Sequence, residues 1–204
     1  MTADRLSKVS GSLLVRRFSV RQPEMFRVVE MVSAKRLTSL DKAALCELAQ
    51  TVMDIEFDGL DGDFLQASCG LGGAAIVIAH AKRRNRNFFV HDPFGAGPEA
   101  ADQARRELAA HNADERLSVK LVPGSYEATV AAEGKLAFGH LDCAKYDPMR
   151  VLLERLVPRL VSKGQFIIDN YKNKEECRKA VDDYFRGKEG FQFVRKSRLH
   201  VIKN

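Results

Sequence analysis

The chain has 204 residues, 45% of them apolar and 29% charged, with a formal net charge of +6. That length fits one domain, or one domain with a small appendage, and the apolar fraction excludes disorder over the whole length. The most apolar run, Gly72 to Ala81, is too short to cross a bilayer and ends in Lys82-Arg83-Arg84; four scattered cysteines without a CxxC pair suggest neither a zinc site nor a disulfide framework.

Residues 1–57 read mainly as helix. Ser39-Leu40-Asp41-Lys42 looks like a helix start, and Leu45, Leu48, Ala49, Val52 and Met53 then recur at helical spacing. The arginines straight after Leu13-Leu14-Val15 argue against a secretory leader, so a reducing cytoplasm is expected. From residue 58 the period changes. Strands are predicted at Phe64–Ser68, Asn87–His91, Leu117–Val122, Leu136–Leu141 and Gln165–Ile168. Helices are predicted at Gly72–Arg84, Glu99–His111, near Glu127, Pro148–Leu160 and Glu175–Phe185. Phe191–Arg195 and Arg198–Ile202 read as a closing hairpin. Five strands each followed by a helix mean a parallel sheet covered on both faces. The expected fold is therefore α/β: a doubly wound, mostly parallel seven-stranded sheet, with N-terminal helices and a C-terminal antiparallel hairpin.

The charge is unevenly spread. Residues 1–36 hold eight basic and three acidic groups, residues 186–204 six and one, and the centre 19 and 23. The basic surplus lies at the two ends, where it attracts a polyanion or is simply solvated.

In a doubly wound sheet the ligand crevice lies beyond the carboxyl ends of the strands. The first strand end, Gln66-Ala67-Ser68-Cys69-Gly70-Leu71-Gly72-Gly73, offers small residues and a helix N-terminus to a ligand, although a tight turn explains it as well. At the second, Asp92 stands 20 residues after Gly72, where such sheets hold a ribose diol; capping a turn before Pro93 is the plainer role. His91 reads as a packed core residue. At the third, Gly124, Ser125 and Tyr126 form either an adenine edge or a helix cap. The fourth and fifth strands end in Asp142 and in Asp169-Asn170, which adjacent parallel strands would bring together. Two carboxylates and an amide oxygen suit Mg²⁺. Lys145, three residues past Asp142, is a candidate base beside such an ion, or else a surface charge.

These residues resemble those of class I S-adenosylmethionine-dependent methyltransferases. The similarity is greatest to the macrocin/mycinamicin O-methyltransferase family, which modifies hydroxyls of sugars and other natural products. It runs from about Arg36 to Phe185. Gly62–Gln66 through Gly72-Gly73 resembles the first cofactor motif, Asp92-Pro93-Phe94 the acidic second, and Asp169-Asn170-Tyr171 with Cys177–Asp182 the late motif and helix. The resemblance implies S-adenosylmethionine bound by Gln66, Ala67, Ser68, Gly72, Asp92, Phe94, Gly124, Ser125, Tyr126 and Asp142, in a methyltransferase domain 58–204 that follows a helical segment 1–57. The family usually has glutamate at Gln66, glycine at Ser68, and aspartate at Ala144 and Asn170. The Asp142/Lys145/Asp169/Asn170 set is similar instead to that of catechol and caffeoyl-CoA O-methyltransferases, which implies Asp142, Asp169 and Asn170 as Mg²⁺ ligands and Lys145 with Asp142 as catalytic residues.

The expected function is Mg²⁺-dependent methylation of a vicinal diol, sugar or catechol-like hydroxyl of a small molecule. The alternatives are a metal-independent methyltransferase acting on RNA or another acceptor, and a cofactor-binding subunit without catalysis. No aromatic–basic stacking motif favours nucleic acid. The acceptor site is either open or completed by the partner in a homodimer.

Overall fold

The computed structural model describes residues 3–95 and 97–204, and side chains from residue 11 onward. The helical segment consists of α1 (Ala3–Arg21), α2 (Pro23–Ala34) and α3 (Lys42–Phe57). Pro23 opens α2, a position where its missing N–H costs nothing. Asp41 caps α3 by accepting from Ala44 N at 2.8 Å.

The sheet contains β1 (Asp63–Ala67), β2 (Phe88–Asp92), β3 (Val119–Pro123), β4 (Leu136–Leu141), β5 (Leu160–Ile168), β6 (Phe191–Arg195) and β7 (Leu199–Lys203), in the order β3-β2-β1-β4-β5-β7-β6. The first five are parallel, and β7 joins β5 antiparallel with β6 outside it. Between them run α4 (Gly73–Ala81), α5 (Pro98–Ala110), α6 (Tyr126–Thr129), α7 (Tyr146–Leu156) and α8 (Glu175–Phe185). Strand order reverses between β1 and β4, which places the crevice at their carboxyl ends.

Apolar side chains of α2, α3, α4 and α5 pack on one face of the sheet, with Phe64, Phe88 and Phe138 buried among them. Those of α7 and α8 pack on the other, against Phe166, Leu141 and Ile168. This two-sided burial explains why β4 is buried at all six positions. At the opposite end of the sheet, Glu56 pairs with Arg83 at 3.0 Å and Arg86 at 2.6 Å, bracing α3 to the loop before β2.

Several boundaries differ from the sequence reading, four of them for reasons the structure shows. The helix predicted to Leu160 ends at Leu156, because Pro158 has no N–H to continue it and a short 3₁₀ turn follows. β5 therefore begins at Leu160 rather than Gln165; Ser162 and Lys163, the latter at φ 63°, interrupt its apolar pattern. α4 stops at Ala81, where Lys82 turns extended and buries its amine against Leu117 O and Arg83 O. β3 starts at Val119, after a 3₁₀ turn that leaves Ser118 left-handed.

Candidate active site

Two cavities flank the strand ends. The first, of about 290 Å³, lies over the turn after β1 and is bounded by Gln66, Ser68, Gly70, His140 and Asp142. Arg36–Ser39, between α2 and α3, form its other wall. They come this close because residue 73 is glycine: a Cβ there would lie 2.6 Å from Leu37 O, to which Gly73 N donates at 3.1 Å. The second, of about 750 Å³, lies between α1, the start of α3 and the β6–β7 turn; Asp169 and Arg198 line it.

The turn after β1 is held by main-chain bonds. Ser68 is left-handed at φ 73°, its N donates to His91 O at 2.8 Å, and its O accepts from Gln66 Nε2 at 2.8 Å. Gln66 Oε1 is buried without a partner among the described residues. Asp92 Oδ2 accepts from Cys69 N at 2.5 Å and Gly70 N at 3.3 Å, and Oδ1 from Phe94 N at 2.7 Å. Asp92 thus fastens β2 to this turn, and it does not line the cavity. Phe94 is buried behind it at φ 45°. Gly124 N donates to Asp92 O at 3.0 Å. Ser125 precedes α6 without a side-chain cap bond, and Tyr126 is buried, its hydroxyl pushed up by desolvation. Of the residues expected around the cofactor, Gln66, Ser68 and Asp142 line the first cavity; Ala67, Gly72, Asp92, Phe94, Gly124, Ser125 and Tyr126 stand behind or beside it.

At the ends of β4 and β5, side-chain bonds join the main-chain ones. Asp142 N donates to Ala67 O at 3.0 Å and Asp169 N to Leu141 O at 3.1 Å, which fixes both residues at the lip of the crevice. Asp169 Oδ2 accepts from His140 Nε2 at 2.9 Å and Oδ1 from Arg198 Nε at 3.1 Å. Asn170 Nδ2 lies 2.5 Å from Asp142 Oδ1. The structure thus brings Asp142, Asp169 and Asn170 together. It does not bring Lys145 to them: its Nζ pairs with Glu176 Oε1 at 3.0 Å, with 71% of the side chain exposed. Lys145 directly precedes α7, and Glu176, in the first turn of α8, also accepts from Tyr146 N at 3.2 Å.

Burial raises the Asp142 carboxyl above the ordinary range. Burial would do the same to Asp169, but His140 and Arg198 outweigh it and hold that carboxyl low. His140 is raised in turn, because Asp169 outweighs the desolvation of its ring. Its Nδ1 is buried without a partner among the described residues.

His140 and Arg198 were not among the site residues expected from sequence. His140 was readable, since it lies near the end of β4 two residues before Asp142, and the two line the same cavity. Arg198 was not. The pair Ile168–Leu199 in the antiparallel β5–β7 ladder sets Arg198 opposite Asp169 one step further on, a register that no local motif encodes. Among the described residues no group of three His, Cys, Asp or Glu side chains is arranged to hold a metal ion, and no helix is long and apolar enough to cross a membrane.

The model of the TylF macrocin O-methyltransferase family matches residues 102–193. The chain is 31% identical, in an alignment of 188 positions that covers 78% of its own length and 68% of the relative's, to 8-demethyl-8-(2,3-dimethoxy-alpha-L-rhamnosyl)-tetracenomycin-C 4'-O-methyltransferase of Streptomyces olivaceus. It is 25% identical, in an alignment of 182 positions that covers 76% of its length and 66% of the relative's, to demethyldecarbamoylnovobiocin O-methyltransferase of Streptomyces niveus. Its fold superposes on the O-methyltransferase NovP with a TM-score of 0.61 over 78% of each chain, at 24% identity. With its strand order, its crevice and these relatives taken together, the chain belongs to the macrocin O-methyltransferase family of S-adenosylmethionine-dependent enzymes.

Proposed function

We propose that this chain methylates a hydroxyl of a sugar or similar polyol carried by a small molecule. The observation that carries the reading is the His140–Asp169 hydrogen bond, 2.9 Å long, whose two residues line different cavities. A methyl donor in the smaller cavity and an acceptor in the larger one would meet beside Asp142 and Asp169. The Streptomyces olivaceus relative, named for methylation at a 4'-oxygen of a rhamnosyl compound, supports a sugar as acceptor.

The residues over the Gly-rich turn fit the cofactor. Gln66 Oε1, a buried acceptor with no partner among the described residues, suits an ammonium donor such as that of a methionine group. When bound, S-adenosylmethionine supplies a methyl group whose bond to sulfur breaks as its bond to the acceptor oxygen forms, leaving a neutral thioether. The chain must align the hydroxyl and receive its proton. Asp142 is placed to receive the proton, because Asn170 holds Oδ1 and a carboxyl raised by burial is a better base than an ordinary one.

Mg²⁺ on Asp142, Asp169 and Asn170 is the finer expectation. The atoms are of the right kind, but both Asp169 oxygens already accept N–H groups, one from a guanidinium, and Asn170 turns its nitrogen toward Asp142. The residues as held do not fit a dication.

The test is methyl transfer to a panel of glycosylated acceptors, with Asp142→Asn as control. Transfer to a hydroxyl, falling about 10²- to 10⁴-fold in the variant, supports the reading. An active enzyme indifferent to Asp142→Asn overturns the role of Asp142, and methylation confined to a nitrogen or to a macromolecule overturns the substrate class.

A further inference from the structure

We infer that Arg198 takes the place of a divalent cation in this crevice: its guanidinium neutralises Asp169 from the acceptor side, and the site works without Mg²⁺. The inference rests on the methyl-transfer reading and deepens it.

Arg198 is built into the position. Ser197 N donates to Glu47 Oε2 at 3.2 Å, and His200 Nε2 lies 2.6 Å from Glu47 Oε1, so α3 clamps the chain on both sides of residue 198. The Arg198 side chain is 23% exposed. Its Nε meets Asp169 Oδ1, and Nη1 donates to Ser197 O at 3.1 Å. A guanidinium is charged at every pH a protein tolerates and carries five N–H donors. These two bonds use two of them, and Arg198 lines the 750 Å³ cavity where an acceptor would bind.

Three features oppose a dication at the same place. Asp169 has given one oxygen to the guanidinium and the other to His140. Arg198 already cancels one of the two negative charges that would draw a metal there. Asn170 presents Nδ2, not its oxygen, to Asp142 at 2.5 Å, filling with a donor the gap that a shared ion would occupy. The reverse orientation would set two oxygens against each other at that distance, which a cation between them or a proton on Asp142 would have to relieve, whereas the amide N–H needs neither. What Arg198 offers instead is a fixed positive charge and a fork of donors that can hold neighbouring hydroxyls.

The test uses Mn²⁺ as the probe, titrated into the whole chain and followed by the paramagnetic resonance of the free ion. No stoichiometric uptake is expected in the wild type up to about 1 mM, the weak end of oxygen-ligand cation sites. Arg198→Ala with Asn170→Asp is expected to take up Mn²⁺ about 10- to 100-fold more tightly than the wild type, and Arg198→Gln with Asn170→Asp serves if the alanine variant does not fold. Uptake of one Mn²⁺ per wild-type chain, lost in Asp169→Asn, overturns the inference. So does a folded double variant that binds no better than the wild type. Titration of the same samples with S-adenosylhomocysteine separates the two readings. A chain that ignores it loses the methyl-transfer reading, and the Mn²⁺ result still decides what Arg198 does to the metal.

Discussion

At the ends of β1 and β2, Asp92 receives three main-chain N–H groups from residues within 23 positions of it. At the ends of β4 and β5, Asp169 receives two side chains, His140 from the neighbouring strand and Arg198 from the hairpin. Both carboxylates are buried and both are fully engaged. The first organises a backbone turn, which any sequence able to form that turn can reproduce. The second organises a charge network whose members come from β4, the end of β5 and the β6–β7 turn, and depend on sheet register. The same fold can therefore keep the turn after β1 while the charge network at the ends of β4 and β5 changes by single substitutions.

Asp169→Asn should disrupt the side-chain half most severely. It strips the counter-charge from Arg198 and His140, and losing one partner of a buried pair costs about 3–5 kcal/mol, read from urea unfolding. The pH dependence has a definite sign. Asp169 is held below its unfolded value of about 4, so its contribution is present above that pH and is lost as pH falls through the lowered value. The variant should lack this part of the acid transition. An unchanged acid limb would mean that Asp169 does not anchor the network.

Asp92→Ala should disrupt the backbone half. It unpairs the Cys69, Gly70 and Phe94 N–H groups. Water can relieve part of the loss, which leaves about 2–3 kcal/mol, together with a marked fall in S-adenosylhomocysteine affinity by calorimetry. If Asp92 served the ribose alone, affinity would fall without loss of stability.

Ser68 probes the same backbone half in the opposite direction. Its left-handed φ costs a non-glycine residue roughly 1 kcal/mol. Ser68→Gly should therefore raise stability by about that amount in denaturant unfolding while leaving the Asp92 contacts in place. Lys145→Ala carries the smallest expected effect. Removing a general base lowers kcat about 10²- to 10⁴-fold, whereas a lysine paired with Glu176 on the surface should leave kcat essentially unchanged. A hundredfold fall would bring Lys145 back to the chemistry.

These contrasts track what could be read from the chain. The alternation of strands and helices, the Asp41 cap and the turn after β1 are local, and periodicity and small residues declare them. Adjacent β4 and β5 place Asp142 beside Asp169-Asn170, as consecutive parallel pairing requires. Direction was harder to read than position. Lys145 stands three residues after Asp142, yet α7 begins at once and its Nζ reaches α8 rather than the crevice. Asp92 sits where a ribose ligand was expected, yet its oxygens face the backbone of the preceding turn. Arg198 depends on a ladder between residues about 30 apart, and no spacing rule reaches across a hairpin docked on β5.

The Glu47–His200 hydrogen bond joins residues 153 positions apart. A contact of that span carries a larger loop-closure entropy than the local turns do, which disfavours its early formation. During synthesis α3 emerges well before β7, so Glu47 spends that interval without its partner. The turn bearing Arg198 gains its clamp only when the two meet. The nascent sheet can thus collapse around its apolar strands before the acceptor side is set, and conditions that slow hairpin docking should yield a compact chain with an unfinished crevice.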